Sequence, residues 1–164
     1  MEILKIYQND PLYIGPSDAS GAVLIPKKLT GSENYGIRSR SMRIALLGKR
    51  KFDFVTGACT KELYKDEYHE QWEACNAIVL SWIMNTVSED LLSGIVYATI
   101  AFSVWVDLKE RFDKVNTMRI YQLQREINTF TQGTDFVSHY FTKLKTLWSE
   151  YDVVIPSCSC MCPQ

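Results

Sequence analysis

After residue 33, apolar side chains recur at three- and four-residue steps, the repeat of an amphipathic helix face. Tyr35, Met42, Ala45 and Leu46 form one such stripe and predict a helix from about Asn34 to Leu47, with Ser32 or Asn34 as its cap and Gly48 as its stop. Position 38 falls on the same face but holds Arg38, so either the guanidinium snorkels to the edge of the core or the helix packs poorly. Phe52-Asp53-Phe54-Val55 reads as a short extended link closed by Gly57. Trp72, Cys75, Ile78, Val79, Trp82 and Ile83 share one face of a long helix predicted over 62–86, whose acidic first half suits a helix N-terminus. Ser88, followed by Glu89 and Asp90, caps a short helix ending near Gly94.

Three further helices follow by the same pattern. Thr99 starts one, with Ala101, Val104, Trp105, Leu108 and Phe112 facing inward and Lys109, Glu110 and Arg111 facing solvent. Asn116 caps the next, with Ile120, Leu123, Ile127 and Phe130 inward, and Gln132-Gly133 breaks it. Thr134, with Asp135 behind it, caps the last, whose stripe is Val137, Tyr140, Phe141, Leu144, Leu147, Trp148 and Tyr151, and Pro156 stops it. The prediction is an all-α fold, a compact bundle of about six helices. Its expected core is Trp82, Trp105, Leu108, Phe112, Leu123, Ile127, Phe141, Leu144 and Trp148. Residues 1–33, broken by Pro11, Gly15, Pro16, Gly21, Pro26 and Gly31, form an irregular N-terminal arm with a short extended piece at Ala22-Val23-Leu24-Ile25. Residues 156–164 read as a disordered Cys-containing tail.

Composition narrows the class. With 46% hydrophobic and 23% charged residues the chain is that of a globular protein rather than a disordered one. No apolar run reaches the ~18 residues that span a bilayer, and MEILKIYQNDPLYIG lacks the apolar centre of a secretory signal. A soluble, cytoplasmic location is expected. Five cysteines, two isolated and three crowded at 158–162, do not make a disulfide framework, and free thiols fit better.

Charge is uneven. The net charge of −1 hides a segment, 27–51, with eight basic residues against the single acid Glu33. One reading lays this helix against an acidic neighbour such as Glu62 to Glu73. The other makes it a phosphate-contacting patch, with Arg40, Arg43, Lys49, Arg50 and Lys51 as the RNA-contacting set. The near-neutral whole does not suit a dedicated nucleic-acid binder.

Catalytic patterns are missing from the sequence. His69 and His139 have no second metal ligand at helical spacing, and neither a phosphate-cradling glycine loop nor a nucleophile elbow is present. In Cys158-Ser159-Cys160-Met161-Cys162 the single-residue spacing is poor for turning paired thiolates onto one zinc ion. The tryptophans sit on apolar stripes, which favours core packing over base stacking. No enzyme, cofactor, metal or small-molecule substrate is expected.

The run LTGSENYGIRSRSMRIALLGKRKF, then WEACNAIVLSWIMNTVSEDLLSGIVY, VWVDLKERFDKVN, RIYQLQREI and TQGTDFVSHYFTKLKTLWSEYD, resembles in order and spacing the Gag polyprotein of copia-type LTR retrotransposons, from about Asp10 to Ile155. The resemblance implies that 34–57 is the first helix and link of the Gag N-terminal segment and that 58–155 is a helical capsid-like domain. It also implies subunits that self-associate into a particle around the element's RNA. In that family a zinc knuckle of the form C-x2-C-x4-H-x4-C follows, and nothing after Pro156 here matches one, so RNA contact is expected to be weak and the chain truncated or degenerate. Arg38 stands where the family pattern has Trp and Asp53 where it tends to have Gly. The first departure predicts a destabilised helix, and restoring Trp should raise the melting temperature. The partner implied is another copy of the chain, with no membrane. The alternatives are a nucleic-acid-binding module working through 27–51 and a host helical adaptor that binds a partner peptide in an apolar groove.

Overall fold

The computed structural model describes residues 6–113 and 117–155. Helices dominate them: α1 (Ser32–Gly48), α2 (Asp53–Thr56), α3 (His69–Asn85), α4 (Glu89–Leu92), α5 (Ala101–Phe112), α6 (Thr117–Thr129) and α7 (Val137–Val154). Among the described residues the sole β-type pairing is an isolated bridge between Leu29 and Val87, so the all-α expectation holds. The chain divides into two units, 1–113 and 114–164. The expected cap Asn116 and the cysteines of the tail lie outside the described residues.

In the first unit, α1 buries Tyr35, Met42 and Leu46 of the expected stripe together with the polar Asn34 and Arg38, while Ala45 is half-buried. Neither expected cap acts as one. Gly31 occupies the N-cap position, while the Asn34 amide donates to the Lys28 carbonyl and accepts from the Thr30 N–H, tying the arm to the helix start. The helix ends in a Schellman turn: the Lys51 N–H reaches the Leu46 carbonyl and the Arg50 N–H the Leu47 carbonyl. The left-handed position of that turn, usually glycine, is Arg50, at φ 56°.

Two expectations in the next stretch need correction. Residues 53–56 are a helical turn, not an extended link, closed as expected by Gly57 in the left-handed region. The helix expected over 62–86 starts only at His69. Before it come two 3-10 turns, Lys61–Leu63 and Asp66–Tyr68, joined by extended Tyr64 and Lys65. A short helix is stable only when packing supports it, and Leu63 in this stretch is exposed. From Trp72 onward the expected stripe faces the core, with Trp72, Cys75, Val79, Trp82 and Ile83 buried and Ile78 half-buried.

The core of this unit gathers α1, α2, α3 and α5 around Trp82, Met42, Val79, Val104 and Leu108. The arm joins it. Leu12, Ile25 and Leu29 are buried, and α3 side chains take the arm's carbonyls: Gln71 and Cys75 donate to Leu12, Trp82 to Ala19, and Ser81 and Asn85 to Ser20. The piece at 22–25 is not a strand. Asn76 clamps the start of α5, donating to the Thr99 carbonyl (2.7 Å) and accepting from the Ala101 N–H (2.9 Å). Of the expected core residues here, Trp82 and Leu108 are fully buried, while Trp105 and Phe112 pack against the core from its edge.

In the second unit, Gly133 (φ 56°) turns the chain between α6 and α7. Thr134 is not the cap; α7 begins at Val137 after Phe136. Arg119 grips Glu150 with two hydrogen bonds (2.8 and 2.9 Å), Gln124 donates to the Tyr151 hydroxyl, and Phe130 stacks on Tyr140. Leu123 is buried and Ile127 and Leu144 are half-buried. Phe141 and Trp148 correct the expectation of a core position: they are 61% and 47% exposed. The apolar stripe of α7 is two rows wide. Tyr140, Leu144, Leu147 and Tyr151 form the more sheltered row, and a single neighbouring helix covers no more than that.

Candidate nucleic-acid interface

The cations of the basic segment 27–51 differ in the fold: Arg38 and Lys51 are buried, while Lys27, Lys28, Arg40 and Arg43 are exposed. Arg38 is 2% exposed. Its Nη2 donates to the Thr86 hydroxyl, to the Thr86 carbonyl (3.0 Å) and more distantly to the Ile83 carbonyl (3.4 Å), at the C-terminal end of α3 where a cation is favoured. Burial pulls its pKa down to about 10, with an opposing effect from Tyr35. It neither snorkels nor leaves the helix loosely packed, although its Nε finds no acceptor among the described residues.

Lys51, expected among the RNA-contacting residues, is 1% exposed and donates to the Pro11 and Tyr13 carbonyls. The carbonyls of an irregular arm have no ladder to satisfy them, and a buried ammonium supplies donors. Lys49 pairs with Asp18 (2.9 Å) and bonds Ser17. Burial acts to raise the Asp18 pKa, but hydrogen bonds from Lys49 and the Gly15 N–H and the Lys49 charge leave it below its ordinary value. Arg50 donates to the Gln8 carbonyl. Three of the five expected RNA-contacting residues are thus committed to the protein itself.

Arg40 and Arg43 are the two that remain open. Both are exposed on α1 and neither forms an ion pair among the described residues. The expected packing of the basic helix on Glu62 to Glu73 is not seen; Glu73 pairs with Lys61 instead. Arg40 and Arg43 line a cleft of about 500 Å³ with Tyr35, Ser39, Phe52, Trp105, Lys109 and Asp113. The Arg43 guanidinium lies 5.3 Å over the Phe52 ring, and Phe52 meets Trp105 edge to face at 6.4 Å. The Tyr35 hydroxyl is pushed up to about 12 by burial and by the charge of Asp113, so it stays protonated at neutral pH. The cleft therefore offers two guanidiniums, an ammonium and two half-buried rings, against one carboxylate.

Sequence reasoning missed Phe52, Trp105 and Lys109 as members of this cleft. Lys109 was legible as a solvent-facing residue of its helix, but nothing in a single sequence tells which side of α1 it faces.

Elsewhere, the His69 Nε2 bonds the Tyr64 carbonyl (2.9 Å) and His139 approaches Asp135 (3.3 Å). Among the described residues no cluster of three or more His, Cys, Asp or Glu is placed to hold a metal ion, and no helix is long and apolar enough to cross a membrane.

Against known proteins, the family model described as the Gag-polypeptide of LTR copia-type matches residues 15–61. That stretch is a copia-type Gag-like region, and it supplies Tyr35, Ser39, Arg40, Arg43 and Phe52 to the cleft. No curated protein and no solved structure matches the chain.

Proposed function

We propose that the chain, carrying a copia-type Gag-like region at 15–61, is a structural protein that self-associates into a capsid-like assembly around element RNA. The family name supports a structural, non-catalytic role. The observation that supports self-association is the second apolar row of α7. Phe141 and Trp148 lie one heptad apart and exposed, and Tyr121 and Met118 of α6 are exposed too. A hairpin of two helices cannot cover its own apolar surface, and exposed aromatic rows mark contact sites. A second copy of the same hairpin would cover them by symmetric pairing.

The test is absolute mass by light scattering over a concentration range. Growth to large species without RNA is expected, and Phe141→Ser with Trp148→Ser should return the chain to smaller species while its helix content is kept. A monomer at every concentration, with or without RNA, would sink the proposal.

A further inference from the structure

We propose that the cleft between α1 and α5 is a contact site for single-stranded nucleic acid, with Arg40, Arg43 and Lys109 taking phosphates and a base lying against Trp105. The inference rests on the Gag-like reading for RNA as the polyanion; the site itself rests on the geometry. Three observations carry it.

The first is charge. Arg38, Lys49, Arg50 and Lys51 each donate to protein acceptors, whereas Arg40 and Arg43 make no hydrogen bond or ion pair among the described residues, and Lys109 joins them from another helix. Three cations around one carboxylate repel one another in the free protein, and an anion relieves that repulsion. The second is aromatic. Phe52 and Trp105 line the same cleft as the guanidiniums, Arg43 lying over Phe52. Rings and guanidinium planes side by side are what unstacked bases need, because every base has a π-face to lay on them. The third is size. A space of about 500 Å³, open to solvent, has room for a splayed nucleotide.

The experiment uses the full chain and a fluorescein-labelled oligouridine, followed by anisotropy as salt is raised. Arg40→Gln with Arg43→Gln, and separately Lys109→Gln, should weaken binding and flatten the log affinity against log salt slope by about 0.7 for each cation removed. Trp105→Leu should weaken binding roughly tenfold, and Trp105→Phe, which keeps a ring, should retain most of it. Lys65→Gln, an exposed cation outside the cleft, should leave the curve unchanged. Unchanged affinity in the double arginine variant overturns the proposal, as does an equal loss in Lys65→Gln. If inorganic polyphosphate competes fully and Trp105→Leu, folded by circular dichroism, binds RNA as the parent does, the cleft is a plain anion patch and the nucleic-acid assignment falls. Light scattering on the same samples separates this idea from self-association. Binding by a chain that stays monomeric keeps the cleft and removes the assembly, and assembly without cleft-dependent binding does the reverse.

Discussion

Replacing Arg38 with Met isolates what a buried cation contributes to this fold. Burial pulls the pKa of Arg38 down to about 10, so holding its charge in the core costs on the order of a few kcal/mol at ~1.4 kcal/mol per pH unit. Hydrogen bonds from a charged donor return about 1.5–3 kcal/mol each, but one nitrogen, Nη2, serves all three acceptors, and Nε has none. The guanidinium is therefore close to break-even. Removing it orphans no carbonyl. The Thr86 oxygen still receives the Leu29 N–H at 2.8 Å, and the Ile83 oxygen still receives the Thr86 N–H and hydroxyl. Met fills most of the volume with apolar surface, as buried-charge replacements elsewhere tolerate or favour. Arg38→Met should raise stability by about 1 kcal/mol, or ~2–4 °C in Tm, whereas Arg38→Ala should lose about 2–4 kcal/mol to the cavity. The assay is urea denaturation followed by tryptophan fluorescence, with the m-value checked for constancy. A loss of more than about 2 kcal/mol in Arg38→Met would refute the reasoning, because the bonds to the end of α3 would then outweigh the desolvation.

Other perturbations test the frame around it. Arg50→Gly should stabilise by about 0.5–1 kcal/mol in the same assay, since the left-handed position of the α1 stop strains a side chain; no gain would mean that the bond to Gln8 outweighs the strain. Burial pushes the Cys75 thiol from 9.0 up to about 11, so its folded form holds a proton that the unfolded chain has already released. Stability present below pH 9 is then lost as pH rises toward 11, and Cys75→Ser, which cannot titrate there, should flatten that part of the profile; an unchanged slope would count against the assignment.

Helix positions were largely legible because each α-helix carries its own periodic stripe. For α1, α5, α6 and α7 the sequence limits agree with the structure to within a few residues. What one stripe does not encode is its partner. The α7 stripe reads as core along its whole width, yet Phe141 and Trp148 on it are exposed. The 3-10 break before His69 was hidden because acidic residues suit a helix N-terminus whether or not packing sustains the turn. The basic segment was visible as a run, but its separation into buried, tethered and open cations depends on carbonyls of the arm and of α3 that lie far away in sequence. Arg40 and Arg43 could be named from the chain. Their difference from Lys51, which looks the same on paper, could not.

The dependence of the arm on α3 sets an order of folding. The bonds from Gln71, Cys75, Ser81, Trp82 and Asn85 to the arm close loops of 59 to 65 residues, the kind of non-local contact that forms late. Synthesis runs the other way, from the N-terminus. Leu12 and its neighbours emerge from the ribosome before α3 and have nothing of α3 to dock on until it has been made. The arm leaves the ribosome ahead of the helix it docks on, and it stays unplaced until the side chains of α3 that hold it have been made.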